Sequence, residues 1–175
     1  MRISGYGVTL TRLTEDKIEK VRNWRNDPKI SQYMEYQDYI TPEMQSNWFQ
    51  KIDNDNNYYF IIEYQEKEAG LINIRDIDYS KGEGEGGIFI YDDSLLNSTI
   101  SFQSVLCLFD FAFEKLKLKK IIAHIMSDNK RAIQYNLMLG FIKQPGQESV
   151  LNQLYILDWE TYKIIKQKIL RLLDY

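Results

Sequence analysis

Cysteine and histidine are nearly absent from this chain. Among its 175 residues, Cys107 is the one cysteine and His124 the one histidine. A single thiol excludes a disulfide within the chain and any multi-cysteine metal site. We therefore expect no bound metal and a reducing compartment, the cytoplasm.

Long apolar runs and blocks of basic residues are missing as well. No stretch approaches the roughly 18 apolar residues of a membrane span, and residues 1–10 lack the apolar core of a signal peptide, so we expect no membrane partner. Lys and Arg total 22 against 25 Asp and Glu, a net charge of −3, so nucleic acid is not an expected partner either. No linker or internal repeat divides the chain, which predicts one domain over residues 1–175.

Apolar residues alternate in some segments and recur with helical spacing in others. Strands are predicted at residues 8–13, 58–64, 69–77, 86–91, 120–126 and 151–159, and helices at 15–26, 28–34, 42–52, 100–116, 130–139 and 162–173. Two of these helices should bury apolar faces, formed by Ile18, Val21 and Trp24 in the first and by Met44, Trp48 and Ile52 in the second. Gly140 should end the helix that precedes it. Helices interleaved with strands predict an α/β domain with a mixed sheet.

The segment 109–141, FDFAFEKLKLKKIIAHIMSDNKRAIQYNLMLGF, carries a recognisable pattern. Five residues define it: Asn129, Ala132, Tyr135, Gly140 and Phe141. The pattern resembles the second half of the GNAT acyltransferases. The resemblance implies a single GNAT domain, a mixed central sheet of about six to seven strands flanked by helices. It also implies acetyl-CoA as cosubstrate and direct acetyl transfer to a primary amine, with no acyl-enzyme and no metal.

Two N-terminal stretches resemble one branch of this family. Residues 21–34 (VRNWRNDPKISQYM) and 40–49 (ITPEMQSNWF) are similar to enzymes that acetylate nucleotide-linked 4-amino-dideoxy sugars, the pseudaminic-acid type used for flagellin. Relatives there often have histidine where Gln45 stands. The resemblance implies that the acceptor is a small-molecule amine, a nucleotide sugar. The substrate-binding residues would be Arg22, Arg25, Tyr33, Met34 and Trp48.

The planar fork of an arginine suits diphosphate oxygens, and the apolar side chains would shape a floor for a deoxy-sugar methyl group. The alternative is a salt-bridged surface over a core tryptophan.

Two side chains are predicted to move protons. A tyrosine at the place of Tyr135 points at the thioester sulfur in GNAT enzymes, and a phenol stays protonated at neutral pH and can donate. The alternative is a core aromatic residue. Glu85, ahead of Glu83, is the candidate base that deprotonates the amine, directly or through water; both could equally be solvated loop charges. His124 alternates with its strand neighbours and is expected to be packed or solvent-facing rather than catalytic.

The pyrophosphate loop departs from the family pattern. Relatives have Arg/Gln-x-x-Gly-x-Gly/Ala, because glycine lets backbone N–H groups approach the phosphates at a helix N-terminus. The residues of this chain at that place are Leu96, Asn97, Ser98, Thr99, Ile100 and Ser101. Hydroxyl groups could donate to phosphate, while Thr99 or Ile100 would be strained at a positive φ. Alternatively, the loop merely caps the next helix.

Asn129 and Ala132 are also expected at the cofactor, with Asn129 capping its helix and contacting the cofactor arm. Two other functions stay open. One is acetylation of a protein N-terminus of the ribosomal-protein type, which calls for an open groove. The other is a GNAT-fold binding module that lost turnover with its loop glycines. The tail helix would pack on the domain or on a second subunit, so a homodimer is possible.

Overall fold

Strands and helices alternate along the chain in a computed structural model that describes all 175 residues. The strands are β1 (Arg2–Gly5), β2 (Val8–Arg12), β3 (Tyr58–Tyr64), β4 (Lys67–Asp78), β5 (Glu83–Ile90), β6 (Lys120–Met126), β7 (Ile142–Lys143) and β8 (Asn152–Asp158). The helices are α1 (Ile18–Asn26), α2 (Pro28–Ser31), α3 (Pro42–Ile52), α4 (Ile100–Asp110), α5 (Lys130–Met138) and α6 (Trp159–Leu172). A π-helical turn, Phe111–Lys115, extends α4, and short 3-10 helices lie at Glu15–Lys17 and Asp93–Leu95.

All strands belong to one mixed sheet in the order β1-β2-β3-β4-β5-β6-β8-β7. The predicted α/β class with a mixed sheet flanked by helices is confirmed. The sheet has eight strands rather than six to seven, because β1 and β7 add one short strand at each edge. Strands of four and two residues are too short to show an alternation of apolar and polar positions.

The sheet has a core on each of its two faces. The larger core holds 29 buried residues, which come from the sheet and from α4, the π-helical turn and α6, with α5 packed against it. The smaller core holds 8 buried residues and includes α1, α3 and the opposite face of β3 and β4. Ile18, Val21 and Trp24 are all buried in the smaller core, so the predicted inward face of α1 is confirmed.

Helix α3 presents a different face from the predicted one. Gln45 and Phe49 are its buried residues, whereas Met44 is exposed and Trp48 and Ile52 are half-buried. The prediction was wrong for Met44, because it placed the polar Gln45 outside, whereas Trp48 and Ile52 do pack against the smaller core. The Gln45 amide donates to the Ile18 carbonyl at 2.9 Å, so its burial leaves that donor satisfied.

The one parallel pairing in the sheet is short. Strands β5 and β6 pair only at Glu83 with Lys120, Gly84 with Ile121 and Glu85 with Ile122. Beyond this point β5 continues on β4 as far as Ile90, and β6 continues on β8 as far as Met126. The two strands therefore part, and the carboxyl-terminal ends of both border a gap in the middle of the sheet.

A half-buried carboxylate ties three distant segments together on the face of the larger core. Asp110 at the end of α4 accepts hydrogen bonds from Tyr6 at 2.5 Å, Tyr162 at 2.7 Å and Lys166 at 2.7 Å. Tyr6 belongs to the turn between β1 and β2, and the other two donors belong to α6. Asp110 thus fixes both the N-terminal hairpin and the tail helix on α4.

Replacing this carboxylate tests its role in stability. We expect Asp110→Asn to lower the free energy of unfolding by about 2 kcal/mol, because Lys166 loses its counter-charge in a half-buried site. Urea denaturation with an unchanged m-value measures the loss. Glu160→Ala, which removes an exposed ion pair with Lys163 on the same helix, is the control and should change stability by less than about 0.5 kcal/mol. Equal effects of the two substitutions would contradict the assigned role.

Candidate active site where two strands part

The gap between β5 and β6 is bordered by different side chains on its two faces. Gly84 and Gly86 face the larger core, where a Cβ on Gly86 would meet Ile121 at 3.2 Å. Glu83, Glu85 and Phe89 point to the opposite face, on which Phe89 packs edge-on against Trp24 of α1. A molecule lying in the gap would therefore meet α4 and α5 on one side and the α1 region on the other.

Glu85 sits at the last paired position and belongs to strand β5. Its Oε1 accepts from Arg75 at 2.6 Å, and its Oε2 lies 3.2 Å from Nδ1 of His124. The carboxylate side chain is 18% exposed. The alternative in which Glu83 and Glu85 are solvated loop charges is wrong, because both lie in the strand and both are ion-paired, Glu83 with Lys120.

Tyr135 lies on the other side, in the middle of α5. Its ring packs against Phe102 with the centroids 4.9 Å apart, and its hydroxyl donates to the Ser101 carbonyl at 2.9 Å. Burial raises the pKa of the phenol above its ordinary value, so the group stays protonated at neutral pH. The phenol therefore reaches the first turn of α4, which the sequence placed at the cofactor.

Helix α5 begins and ends as the sequence predicts. The Asn129 side chain accepts from the backbone N–H of Ala132 at 3.0 Å and caps the helix, and Gly140 takes a φ of +90° just after it. A cavity of about 130 Å³ lies beside Asn129. Its walls are Gln32, Tyr33, Gln37, Met126, Asp128 and Asn129. The cavity joins the end of β6 to the segment after α2.

The loop that leads into α4 is unstrained. Leu96 and Thr99 have right-handed helical angles, and no residue from 96 to 101 has a positive φ, so the expected strain at Thr99 or Ile100 does not arise. Ser98 donates to the Leu95 carbonyl at 2.7 Å and accepts from the Ile100 N–H at 3.3 Å, while Ile100 is buried. Thr99, the N-cap residue, provides no side-chain cap for the first turn.

Arg131 supplies the positive charge that the loop itself lacks. From the first turn of α5 its guanidinium donates to the Leu96 carbonyl at 2.8 Å. Sequence reasoning missed this residue because it searched for basic side chains only within the loop. The available signal was its place in N-K-R-A, on the first turn of a helix whose cap was assigned to the cofactor.

The two arginines of the predicted substrate region have different surroundings. Arg22 is engaged by Glu19 at 2.9 Å and by the Tyr39 hydroxyl and the Ile40 carbonyl, so it holds the segment after α2 onto α1. Arg25 is half-buried, and its partial removal from water lowers the pKa of its guanidinium. The titratable groups around it are Tyr59, Arg75 and Tyr36, with no carboxylate among them.

The remaining predicted substrate residues are spread over the same side of the sheet. Tyr33 is exposed and lines the cavity beside Asn129. Met34 is half-buried in the segment after α2. Trp48 packs edge-on against Tyr59 with the centroids 5.0 Å apart. The structure thus brings Tyr33 to the end of β6, whereas Trp48 lies against the smaller core near β3.

Chemically, the gap has a protonated phenol on one side and a carboxylate-imidazole pair on the other. No group of three or more metal-ligating His, Cys, Asp or Glu side chains is found, and no helix has the length and apolar character needed to cross a membrane.

Arg75 and His124 were missed as partners of Glu85. Their pairing depends on strand register, which a single sequence does not reveal.

Comparisons with known proteins bear on the family and the fold. Residues 8–142 match the family described as the acetyltransferase (GNAT) domain. Acetyltransferase PseH of Campylobacter jejuni is 26% identical over 125 residues, which cover 71% of this chain and 76% of PseH.

Among solved structures, apo FdhC, a nucleotide-linked sugar GNAT, superposes with a TM-score of 0.81 at 20% identity, covering 99% of this chain and 98% of FdhC. Spermidine N-acetyltransferase from Vibrio cholerae, in complex with CoA and spermine, has a TM-score of 0.75 at 20% identity, covering 91% and 99%. At such identities these structures show the fold. The family match covers most of the chain, and the chain therefore belongs to the GNAT acetyltransferase family as an acetyl-CoA-dependent N-acetyltransferase.

Proposed function

We propose that this enzyme transfers an acetyl group from acetyl-CoA to the primary amine of a nucleotide-linked amino sugar, by direct attack in a ternary complex. The similarity to PseH and the likeness to a nucleotide-linked sugar GNAT support the sugar acceptor. The observation that carries it in this chain is the half-buried guanidinium of Arg25, which has no acidic partner. We expect the acceptor to supply that missing negative charge.

Arg25 favours an anionic substrate over a polycation. A half-buried charge without a counter-charge lowers stability, and a phosphate that binds to it offsets that loss through charge-assisted hydrogen bonds. Arg75 lies beside it but is neutralised by Glu85. A nucleotide diphosphate would bring its charge to Arg25, with Tyr33 and Met34 near the sugar. A polyamine such as spermidine would meet repulsion at the same place.

Three features support binding of acetyl-CoA. The gap between β5 and β6 offers strand edges to the pantetheine arm, because neither strand is paired with the other beyond Glu85 and Ile122. The first turn of α4 has N–H groups without a side-chain cap, which suits the pyrophosphate. Arg131 adds a positive charge beside Leu96. These contacts would act in place of the family's glycines, with Asn129 and Ala132 near the cofactor arm.

The proposed reaction forms one bond and breaks one bond at the carbonyl carbon. The amine lone pair attacks the thioester, the C–N bond forms, the C–S bond breaks, and the amine nitrogen loses a proton. Tyr135 would donate its phenolic proton to the departing sulfur. Glu85 lies on the side of the gap where the proton of the amine would be accepted. Holding the amine and the thioester at near-attack distance would supply a large part of the rate enhancement.

The acid role of Tyr135 can be tested by removing one oxygen. We expect Tyr135→Phe to lower kcat about 100-fold while changing the KM for acetyl-CoA by less than about threefold, because the phenol acts mainly on the transition state. Thiol release under saturating acetyl-CoA measures both constants. Tyr155→Phe, which removes a phenol on β8, is the matched control. A Tyr135→Phe enzyme with nearly wild-type kcat would remove the acid assignment.

The anion role of Arg25 gives a prediction about the acceptor. We expect Arg25→Gln to raise the KM for a nucleotide-linked amino sugar at least about tenfold and to leave the KM of the corresponding nucleotide-free amino sugar unchanged, because only the first carries a diphosphate. Arg171→Gln, the same substitution on α6, should change neither constant.

The acceptor panel decides between the functions that remain open. UDP- and dTDP-linked amino sugars, the same sugars without nucleotide, spermidine and peptides with a free N-terminus are compared by thiol release. Acetylation of peptides alone would overturn the sugar proposal. No turnover of any amine, together with no heat on titration with acetyl-CoA, would favour the binding-module alternative.

Arg131 gives a prediction about the cofactor. We expect Arg131→Gln to raise the Kd for CoA about tenfold, because one charge-assisted contact with phosphate is lost. Calorimetry measures the change, and Lys130→Gln, the neighbouring exposed residue, is the control. Turnover with acetyl-pantetheine, which lacks the phosphates, should be the same in both variants. If Arg131→Gln lowered turnover with acetyl-pantetheine as much as turnover with acetyl-CoA, Arg131 would act through the conformation of the loop and not through a contact with phosphate.

A further inference from the structure

His124 lies at the place where the two strands part, on the face from which the acceptor would approach. It comes two residues after Ile122, the last residue of β6 that pairs with β5. Its strand neighbours Ala123 and Ile125 are buried in the larger core, so the imidazole points to the opposite face. Met126, two residues further on the same face, lines the cavity beside Asn129. Two residues along a strand span about 6.6 Å, which places the imidazole close to this cavity.

The two ring nitrogens of His124 differ in their surroundings. Nδ1 lies 3.2 Å from Oε2 of Glu85, whereas no hydrogen bond occupies Nε2. The side chain is 39% exposed, so Nε2 can reach both a substrate and water. In the tautomer with its proton on Nδ1, beside the carboxylate, the neutral ring has its lone pair on Nε2. The arrangement presents a proton acceptor toward the gap.

Glu85 is poorly placed to accept the proton itself. One of its oxygens accepts from Arg75 at 2.6 Å, and the other lies 3.2 Å from Nδ1 of His124, so each oxygen has a basic side chain beside it. The imidazole is the member of this chain of contacts with an unoccupied nitrogen. Glu85 is therefore suited to orient His124 and to stabilise the imidazolium that forms.

The charges near His124 come from four directions. On β5 the ring lies next to Glu85, and behind Glu85 lie Arg75 of β4 and Arg25 of α1. Along its own strand Lys120 is paired with Glu83. Asp128 lies at the cavity, and the residue paired with His124 on β8 is the neutral Leu154. Arg75 and Glu85 offset each other, as do Lys120 and Glu83. Because the ring is exposed, a proton that it takes up can pass on to water.

We propose that His124 is the catalytic base of the acetyl transfer, with Glu85 as its positioning residue. This inference rests on the proposed function, since it needs an amine acceptor. The lone pair of the uncharged amine attacks the thioester carbon, the C–N bond forms and the C–S bond breaks, and Nε2 of His124 takes the proton that the attacking nitrogen loses and later releases it to water. Tyr135, on the other side of the gap, would supply the separate proton that the sulfur needs.

The pH dependence of kcat/KM tests this assignment on the most active amine of the acceptor panel. We expect His124→Gln to lower kcat/KM about 100-fold at neutral pH and to remove the fall in rate on the acidic side. Glu85→Gln should keep that fall and lower kcat/KM less than His124→Gln does, because it removes only the group that positions the imidazole. Lys120→Gln, on the same strand and face, should leave the profile unchanged.

Added imidazole provides a second measurement. It should restore part of the activity of His124→Ala and none of the activity of Tyr135→Phe, and thermal melting verifies that each variant is folded. An acidic limb that persists in His124→Gln, or an absence of rescue in a folded His124→Ala enzyme, would overturn the role of His124 while amine acetylation itself stands. Failure of the wild type to acetylate any amine would instead overturn the proposed function, and the base assignment with it.

Discussion

Backbone hydrogen bonding in the middle of the sheet is the constraint on which the site depends. Strands β5 and β6 share three residue pairs, and each strand then follows a different antiparallel neighbour. Because the backbone on the outer side of each strand remains paired, the inner edges can separate while the sheet stays intact. The α4 and α5 helices approach this opening from one face and the α1 region from the other. The catalytic candidates are consequently divided between two faces of one gap.

The distribution of charge follows from this division. On the α1 face, Arg75, Glu85 and His124 form a continuous set of contacts in which positive and negative groups offset one another. Arg25 stands beside this set without an acid of its own, while Arg22 is used to hold the segment that follows α2. The two arginines of this one helix therefore differ in their surroundings, and we propose the binding role for Arg25 alone. On the α4 face, the charge that the glycine-poor loop lacks comes from Arg131.

Much of the fold could be predicted from the sequence because it depends on local chemistry. The inward face of α1, the Asn129 cap and the left-handed Gly140 are all read from neighbouring residues, and all three are confirmed. The inward face of α3 was wrong at Met44, because burial of Gln45 depends on a carbonyl from another helix.

The site was less predictable for a related reason. The partners of Glu85 come from β4 and β6, and only strand register brings them together. The expected solvent-facing position of His124 is confirmed, but its alternation along β6 shows only the face of the sheet and not the partner across it. Strain was expected in the loop before α4 because it lacks the glycines of the family pattern. Its backbone contains no residue with a positive φ, so no glycine is needed there. Long-range contacts of this kind leave no periodic signal in one sequence.

The central claim is that the gap between β5 and β6 holds the acyl-donor arm. Hydrogen-deuterium exchange with and without CoA measures this most directly, because strand-edge amides that bind the arm become protected. The account predicts slower exchange in residues 86–90 and 123–126 and in the first turn of α4, with little change in β1 and β2. Protection confined to other segments, with these amides exchanging at the same rate in both states, would contradict it.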